Sequence, residues 1–336
     1  MTRPGVRRVH KGCKDKRDMA DRNSGELPKI SVVVPVYGCA PCIDELCARL
    51  KKSLDSLASE YEIILVDDRS PDNAWAAIIN LQAHYPEVKG IRLSRNFGQH
   101  IAISAGLASA RGDYAIVMDC DLQDPPEKIA ELYSKLKEGY DVVLAHREVR
   151  NHSFFRIAAA RAYFRLMSYL TDANIDGSFG TFSILSRKVI DSFLQFNERD
   201  RHYLFILQWL GFKMGSIDYE HQDRPRGRSA YSLKRLLRHA MDGIFFQVTI
   251  LLRWIVMLGF LFAIFGLALA AFFVYRYFVY GSLEGWTSVV VLILVCTGVL
   301  LSSLGVVGLY IGKIFEQAKE RPLYVIDVVA ERRIPW

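Results

Sequence analysis

Between residues 29 and 145, short apolar runs alternate with longer stretches of helical period. The runs at 30–36, 61–66, 88–93, 114–118 and 141–145 are mostly Val, Ile, Leu and aromatic residues with little polar alternation. Such runs predict strands covered on both faces, as in parallel sheets. Segments 41–57, 74–85, 98–110 and 125–137 predict the intervening helices. Strand alternating with helix implies an α/β fold, a mostly parallel sheet with helices on both faces. Asp72 and Asp124, each just ahead of a helix, read as N-caps.

Beyond residue 150 the pattern changes. Residues 152–171 interleave large apolar side chains with Arg156, Arg161 and Arg165. This fits a helix lying in a membrane interface, or an amphipathic helix packed on the sheet. Residues 177–185 read as a glycine-hinged loop entering a strand, and 203–210 as an apolar helix. The charged turn 197–201, with Glu198, could place a carboxylate near a substrate or simply be solvated. Residues 233–244 read as a basic amphipathic helix. Two uncharged stretches follow, 254–275 and 286–312, of about 22 and 27 residues. Each exceeds the roughly 20 needed to cross a bilayer, and together they predict a two-helix hairpin. A β-rich tail, 322–330, suits pairing with a sheet edge, in its own chain or in another subunit.

Composition sharpens this picture. Net charge is +7 over 336 residues, and Lys and Arg crowd on both flanks of the apolar stretches. The positive-inside rule then places both flanks, both termini and the N-terminal region in the cytoplasm, with two spans in the inner membrane. No aromatic-interleaved basic array points to nucleic acid. The basic balance suits anionic lipid and phosphate. Residues 1–28 lack periodicity and read as a disordered basic arm. Cys39, Cys42 and Cys47 resemble a metal or redox cluster, but no further ligand pair follows at zinc spacing. Scattered reduced thiols are the preferred reading.

Candidate chemistry concentrates after the strand at 114–118, where Asp119, Asp121 and Asp124 fall within six residues. Clustered carboxylates raise one another's pKa, and a cation offsets that cost. Oxygen donors of this kind suit Mg2+ or Mn2+ with a substrate phosphate, although a solvated acidic turn would also fit. Ligands of open α/β sheets bind beyond the carboxyl ends of the strands. Three such ends here carry polar clusters: Pro35-Val36-Tyr37, Asp67-Asp68 and Asp119-Cys120-Asp121. Arg224-Pro225-Arg226-Gly227-Arg228-Ser229 beside the apolar stretches could grip an anionic phosphate, or serve general headgroup attraction.

The segments Ser31-Val32-Val33-Val34-Pro35-Val36-Tyr37, Val66-Asp67-Asp68-Arg69-Ser70-Pro71-Asp72, Asn96-Phe97-Gly98, Gly112-Asp113 and Asp119-Cys120-Asp121-Leu122-Gln123-Asp124-Pro125-Pro126, with the basic loop through Tyr231, carry a resemblance. In this order, ahead of two apolar stretches, the chain resembles the inverting, GT-A-fold polyprenyl-phosphate glycosyltransferases of family 2, over about residues 29–325. The group includes dolichol-phosphate mannose synthases and bactoprenol glucosyltransferases.

The resemblance implies a catalytic GT-A domain at 29–231 with an interfacial helix at about 153–171. A juxtamembrane helix (232–250), spans near 254–276 and 286–312 within 251–313, and a cytoplasmic tail (314–336) follow. It implies transfer of a sugar, UDP-glucose by first preference, to polyprenyl (undecaprenyl) phosphate at the membrane. UDP-aminoarabinose, UDP-N-acetylhexosamine and GDP-mannose are the alternative donors. Asp119 and Asp121, with Gln123, would bind Mg2+ or Mn2+. Pro35, Val36, Tyr37, Asp68, Asn96, Asp119, Cys120 and Asp121 would hold the donor. Arg147, Arg156 and Arg224 would be catalytic, and Arg156, Arg224 and Ser229 would take the acceptor phosphate. It further implies a homo-oligomer, with a tetramer as the form it suggests.

Two residues depart from the family pattern: Gly38 stands for the usual Asn and Ala230 for the usual Lys. Cys120 stands where Ala is common and needs only to be small. The other readings are a processive polysaccharide synthase, which needs more spans and a Gln-x-x-Arg-Trp motif, and a non-catalytic nucleotide-sugar sensor or flippase partner.

Overall fold

A computed structural model describes residues 27–148, 179–199, 201–220 and 285–331, with isolated positions between 257 and 279. Its centre is an eight-stranded mixed sheet. The strands are β1 Lys29–Val36, β2 Glu60–Asp67, β3 Val88–Leu93, β4 Tyr114–Val117, β5 Val142–Glu148, β6 Phe179–Ser186, β7 Met214–Glu220 and β8 Ile326–Ala330. They lie in the order β7-β5-β6-β4-β1-β2-β3-β8. The β1–β2, β1–β4, β2–β3 and β5–β7 pairs are parallel, while β6 and β8 run antiparallel to their neighbours.

Why the apolar runs become strands is visible in β1. Val32, Val34 and Val36 point to one face and Val33 to the other, and all four are fully buried. Helices α1 Ile43–Leu54, α2 Ala74–His84 and α4 Ile129–Lys137 cover the first face with Leu46, Leu50, Ile78 and Leu132. Helices α3 Gln99–Ser109, α5 Arg187–Leu194 and α6 Tyr203–Trp209 cover the second with Ile103, Ile190, Phe193 and Leu207. Each such aliphatic side chain contributes about 1.5–3 kcal/mol on burial. Neither face can therefore turn to water, which fixes register and topology together.

Two elements escape the sequence pattern. α5 is only eight residues long, and β7 is half polar because it lies at the sheet's edge. The segment predicted as helix from 125 starts as a 3-10 turn, Pro126–Lys128, and becomes α-helical at Ile129. Asp72 does not cap α2. Its Oδ2 accepts the Ala40 amide at 2.9 Å, and no side chain caps that helix.

The chain returns to this sheet after its apolar stretches. Helix α7 Trp286–Ala318 has 33 residues, roughly 50 Å at 1.5 Å per residue. Within it Cys296–Ala318 is the one helix among the described residues long and apolar enough to cross a membrane, by length and composition alone. Of the first predicted span, Met257, Leu261, Phe265, Phe272 and Tyr275 are helical and exposed. A two-helix hairpin is not established by the described residues.

The last turn of α7 meets the charged turn that follows α5. Arg199 Nη1 donates to Glu316 Oε2 at 2.8 Å, and Gln317 Nε2 donates to the Asn197 carbonyl at 2.9 Å. β8 then pairs with β3 of its own chain, the edge pairing predicted for the tail. Asp327 bridges Arg69 and Arg92, and Glu331 bridges Lys89 and Arg111. The basic arm through residue 26 and the helices predicted at 153–171 and 232–250 lie outside the described residues.

Candidate active site

The carboxyl ends of β1, β2 and β4 open on one side of the sheet, and their loops are knitted together. Gly38 N donates to Ser70 Oγ at 2.7 Å, and Ser70 Oγ donates to Asp72 Oδ1 at 2.5 Å. The Ser70 amide donates to Asp67 Oδ1 at 2.8 Å. Gly38 has φ +71°, a left-handed conformation that Gly and Asn both tolerate. The departure from the family's Asn therefore keeps the turn. Tyr37 stands half exposed beside it.

Residues proposed for the donor divide by burial. Pro35 and Val36 are buried within β1. Asp68 is buried and its two oxygens accept the Phe97 and Gly98 amides at 2.7 and 2.8 Å. Burial still pushes its pKa up, against those two bonds. Asn96 is exposed on the same loop.

Cys120 is not a reduced thiol. It forms a disulfide with Cys39, tying the β1 loop to the acidic loop across 81 residues of sequence. The expectation of scattered reduced thiols fails because these two buried side chains face each other between adjacent loops, a proximity that spacing along the chain cannot show. Cys42 and Cys47 are buried in the core, and burial raises the Cys47 thiol to about 12. Among the described residues no group of three or more His, Cys, Asp or Glu side chains forms a metal shell.

Asp119 is engaged by three side chains. Its Oδ1 accepts Gln99 Nε2 at 2.7 Å and Thr181 Oγ1 at 2.8 Å. Its Oδ2 stands 3.9 Å from Arg147 Nη2. Burial, then repulsion from Asp124 and Asp121, pushes its pKa up to about 7. Asp121 Oδ1 accepts the Gln123 amide at 3.2 Å, across Leu122 at φ +62°.

Gln99 and Thr181 are not evident as site residues from the sequence pattern. Gln99 directly follows Asn96-Phe97-Gly98, and Thr181 lies within the glycine-hinged loop 177–185. A divalent ion fits this donor set. Asp119 and Asp121 offer carboxylate oxygens, and two carboxylates leave coordination positions for water and a diphosphate. Gln123 would be the third donor.

Asp124 is not a helix cap, and Pro126–Lys128 has no side-chain cap. Asp124 is fully buried, and its Oδ1 accepts the Tyr219 hydroxyl and, at 3.5 Å, Arg147 Nη2. Arg147 Nε donates to Tyr219 Oη at 3.0 Å. Gly180 on β6 makes room for this guanidinium, because a Cβ there would lie 2.5 Å from Arg147 Nη2. Arg147 thus lies against the acidic loop, beside Tyr219, which carries no sequence signal. Arg156, Arg224 and Ser229 lie outside the described residues.

Residues 31–194 match the family model described as Glycosyl transferase family 2. The uncharacterized glycosyltransferase YkcC of Bacillus subtilis (strain 168) is 38% identical over 301 residues, 88% of this chain and 93% of its own length. The uncharacterized glycosyltransferase sll0501 of Synechocystis sp. is 35% identical over 301 residues, covering 89% and 95%. Among solved structures, glucosyl-3-phosphoglycerate synthase from Mycobacterium tuberculosis, in complex with Mn2+, UDP and glucosyl-3-phosphoglycerate, is 17% identical. That match covers 73% of this chain and 84% of the other at a TM-score of 0.47. S. aureus TarS 1–349 in complex with UDP-GlcNAc is 18% identical, covering 65% and 66%, at a TM-score of 0.43.

Proposed function

This chain belongs to glycosyl transferase family 2, and we propose that it moves a sugar from a nucleotide diphosphate donor onto the phosphate of a polyprenyl lipid. Nucleotide-sugar glycosyltransfer on a GT-A-like α/β fold is the activity of the family. The lipid acceptor, the donor's identity and the membrane setting are our reading. One observation carries it. The chain leaves the catalytic sheet, forms a helix of bilayer length, and returns to the same sheet as β8, with Arg199 clasping the helix end. A site on a sheet so tethered suits an acceptor whose tail stays in the bilayer.

The proposed nucleophile is the lipid phosphate, already anionic at neutral pH, so no strong general base is required. The residues then have to position two anions and balance their charge. Asp119 and Asp121, with Gln123, would hold a divalent ion, which when bound acts as a Lewis acid toward the departing diphosphate. Gln99 and Thr181 orient Asp119 by their bonds to Oδ1. Tyr37 offers its exposed ring to the nucleobase, and Arg147 faces the phosphates. Arg156, Arg224 and Ser229 are proposed to bring the acceptor phosphate to the anomeric carbon, with inversion of configuration.

UDP-glucose is the first-choice donor by resemblance, followed by UDP-aminoarabinose, UDP-N-acetylhexosamine and GDP-mannose. The setting proposed is the cytoplasmic face of the inner membrane, with two spans, an interfacial helix at 153–171 and a homo-oligomeric assembly. The test is a panel of radiolabelled nucleotide-sugars with undecaprenyl phosphate and the purified full-length protein. Label extractable into organic solvent is expected with one donor. Label retained in polymer, or no transfer from any donor, overturns the proposal.

A further inference from the structure

Arg147 has two carboxylates within reach. Its Nη2 lies 3.5 Å from Asp124 Oδ1 and 3.9 Å from Asp119 Oδ2. A guanidinium pairs strongly with any carboxylate that it can approach in plane. Full contact with Asp119 would set a cation on oxygens that a divalent ion needs. Three features hold the side chain on the other side. Tyr219 Oη accepts Nε at 3.0 Å and donates its own proton to Asp124. Arg147 and Tyr219 are register partners in the parallel β5–β7 pair, so the bond is built into the sheet. Gly180 gives the guanidinium its bed on β6.

Asp124 itself is placed for this task. It is fully buried at the head of the segment leading to α4, and its Oδ2 has no hydrogen-bond partner among the described residues. A buried carboxylate oxygen left unpaired is costly, and is retained where the group's other contacts need the charge. Those contacts are Tyr219 and Arg147. Tyr219 is held in turn by an edge-to-face contact with Phe182, ring centroids 5.8 Å apart.

We propose that Asp124 and Tyr219 are positioning residues that hold Arg147 back from Asp119. They keep the Asp119 carboxylate available to a divalent ion and the guanidinium available to a phosphate. The inference rests on the proposed function at one point, the role of Asp119 as an ion ligand.

The test compares Mn2+ affinity, with and without UDP, by calorimetry on the full-length protein and its variants. Y219F and D124N should each weaken Mn2+ binding by about tenfold or more, the usual effect of losing a partner behind a metal ligand. Without UDP, where Arg147 has no phosphate to hold, R147A should leave it near wild type. In Y219F/R147A and D124N/R147A the affinity should return to the R147A value, because the competing cation is gone. Circular dichroism and melting curves would confirm that the single variants fold, and either one suffices for the comparison.

Wild-type affinity in both single variants overturns the proposal. So does a double variant as weak as its single parent, since lost packing is not repaired by removing an arginine. Absence of Mn2+ binding in the wild type overturns it together with the ion role of Asp119. These measurements do not involve transfer, so failure of the lipid-acceptor reading would appear separately, in the donor panel.

Discussion

At the scale of single residues, Asp119 makes the sharpest demand. Its pKa rises from the ordinary 3.8 to about 7, so the folded protein keeps a proton that the unfolded chain releases. Between about pH 4 and pH 7 the folded state therefore binds more protons, and stability without metal falls as pH rises through that window. A divalent ion needs the deprotonated carboxylate, so its binding must tighten over the same range. The expected result is a melting temperature that drops from pH 5 to pH 8 without metal, a flatter curve in D119N, and a Mn2+-induced rise that is larger at pH 8 than at pH 5. A Mn2+ effect independent of pH would contradict the assignment.

The Cys39–Cys120 bond belongs to the same scale. Peptide mapping without reductant should recover the two cysteines linked, and reduction should expose two further alkylatable thiols. C39S/C120A should melt lower than the oxidised protein by the equivalent of roughly 2–4 kcal/mol, typical for loss of a cross-link closing a long loop. Recovery of unlinked peptides from carefully alkylated protein would refute the bond. Neither it nor the Asp124–Tyr219 contact could be read along the chain, because the partners are 81 and 95 residues apart. Asp124 ahead of two prolines satisfies the local rule for a helix cap, and a tertiary partner overrode that rule.

At the scale of elements, strands buried on both faces were the most legible part of the molecule. The run at 88–93 matches β3 at both ends, and 30–36 and 61–66 match β1 and β2 within one residue. Burial on two faces forces a continuous apolar run, and such a run has few other ways to fold. Legibility fails at edges. β7 alternates polar residues with Ile217 and Tyr219, and only the sheet beside it makes it a strand.

The β-rich tail predicts a strand that pairs with a sheet edge, and that edge is β3. Without β8 the β3 edge would expose its backbone groups, and Arg69 and Arg92 would lose Asp327. A chain ending at residue 319 should therefore express as an aggregation-prone protein. D327N should remain soluble and lose at most about 1 kcal/mol, because the pair is partly exposed. Size-exclusion profiles and melting curves separate the two. A monodisperse truncated protein would mean that β8 is dispensable to the sheet.

For the whole molecule, the question is what the tether does. Arg199 and Gln317 join the charged turn to the last turn of α7. The Arg199–Glu316 pair is partly exposed, so its contribution to stability is small, about 0–1 kcal/mol. Its value would lie in geometry, in fixing the distance between the sheet's loops and the end of the apolar helix. If the acceptor is held in the bilayer, loosening that joint spreads the site over positions from which the lipid phosphate is out of reach. R199A/Q317A should then raise the apparent KM for undecaprenyl phosphate in bilayers several-fold, with the donor KM unchanged. A short-chain polyprenyl phosphate in free solution can reach the site wherever it sits, so with that acceptor the variant should match the wild type. An equal loss with both acceptors would mean that the joint shapes the site itself and does not set its height above the membrane.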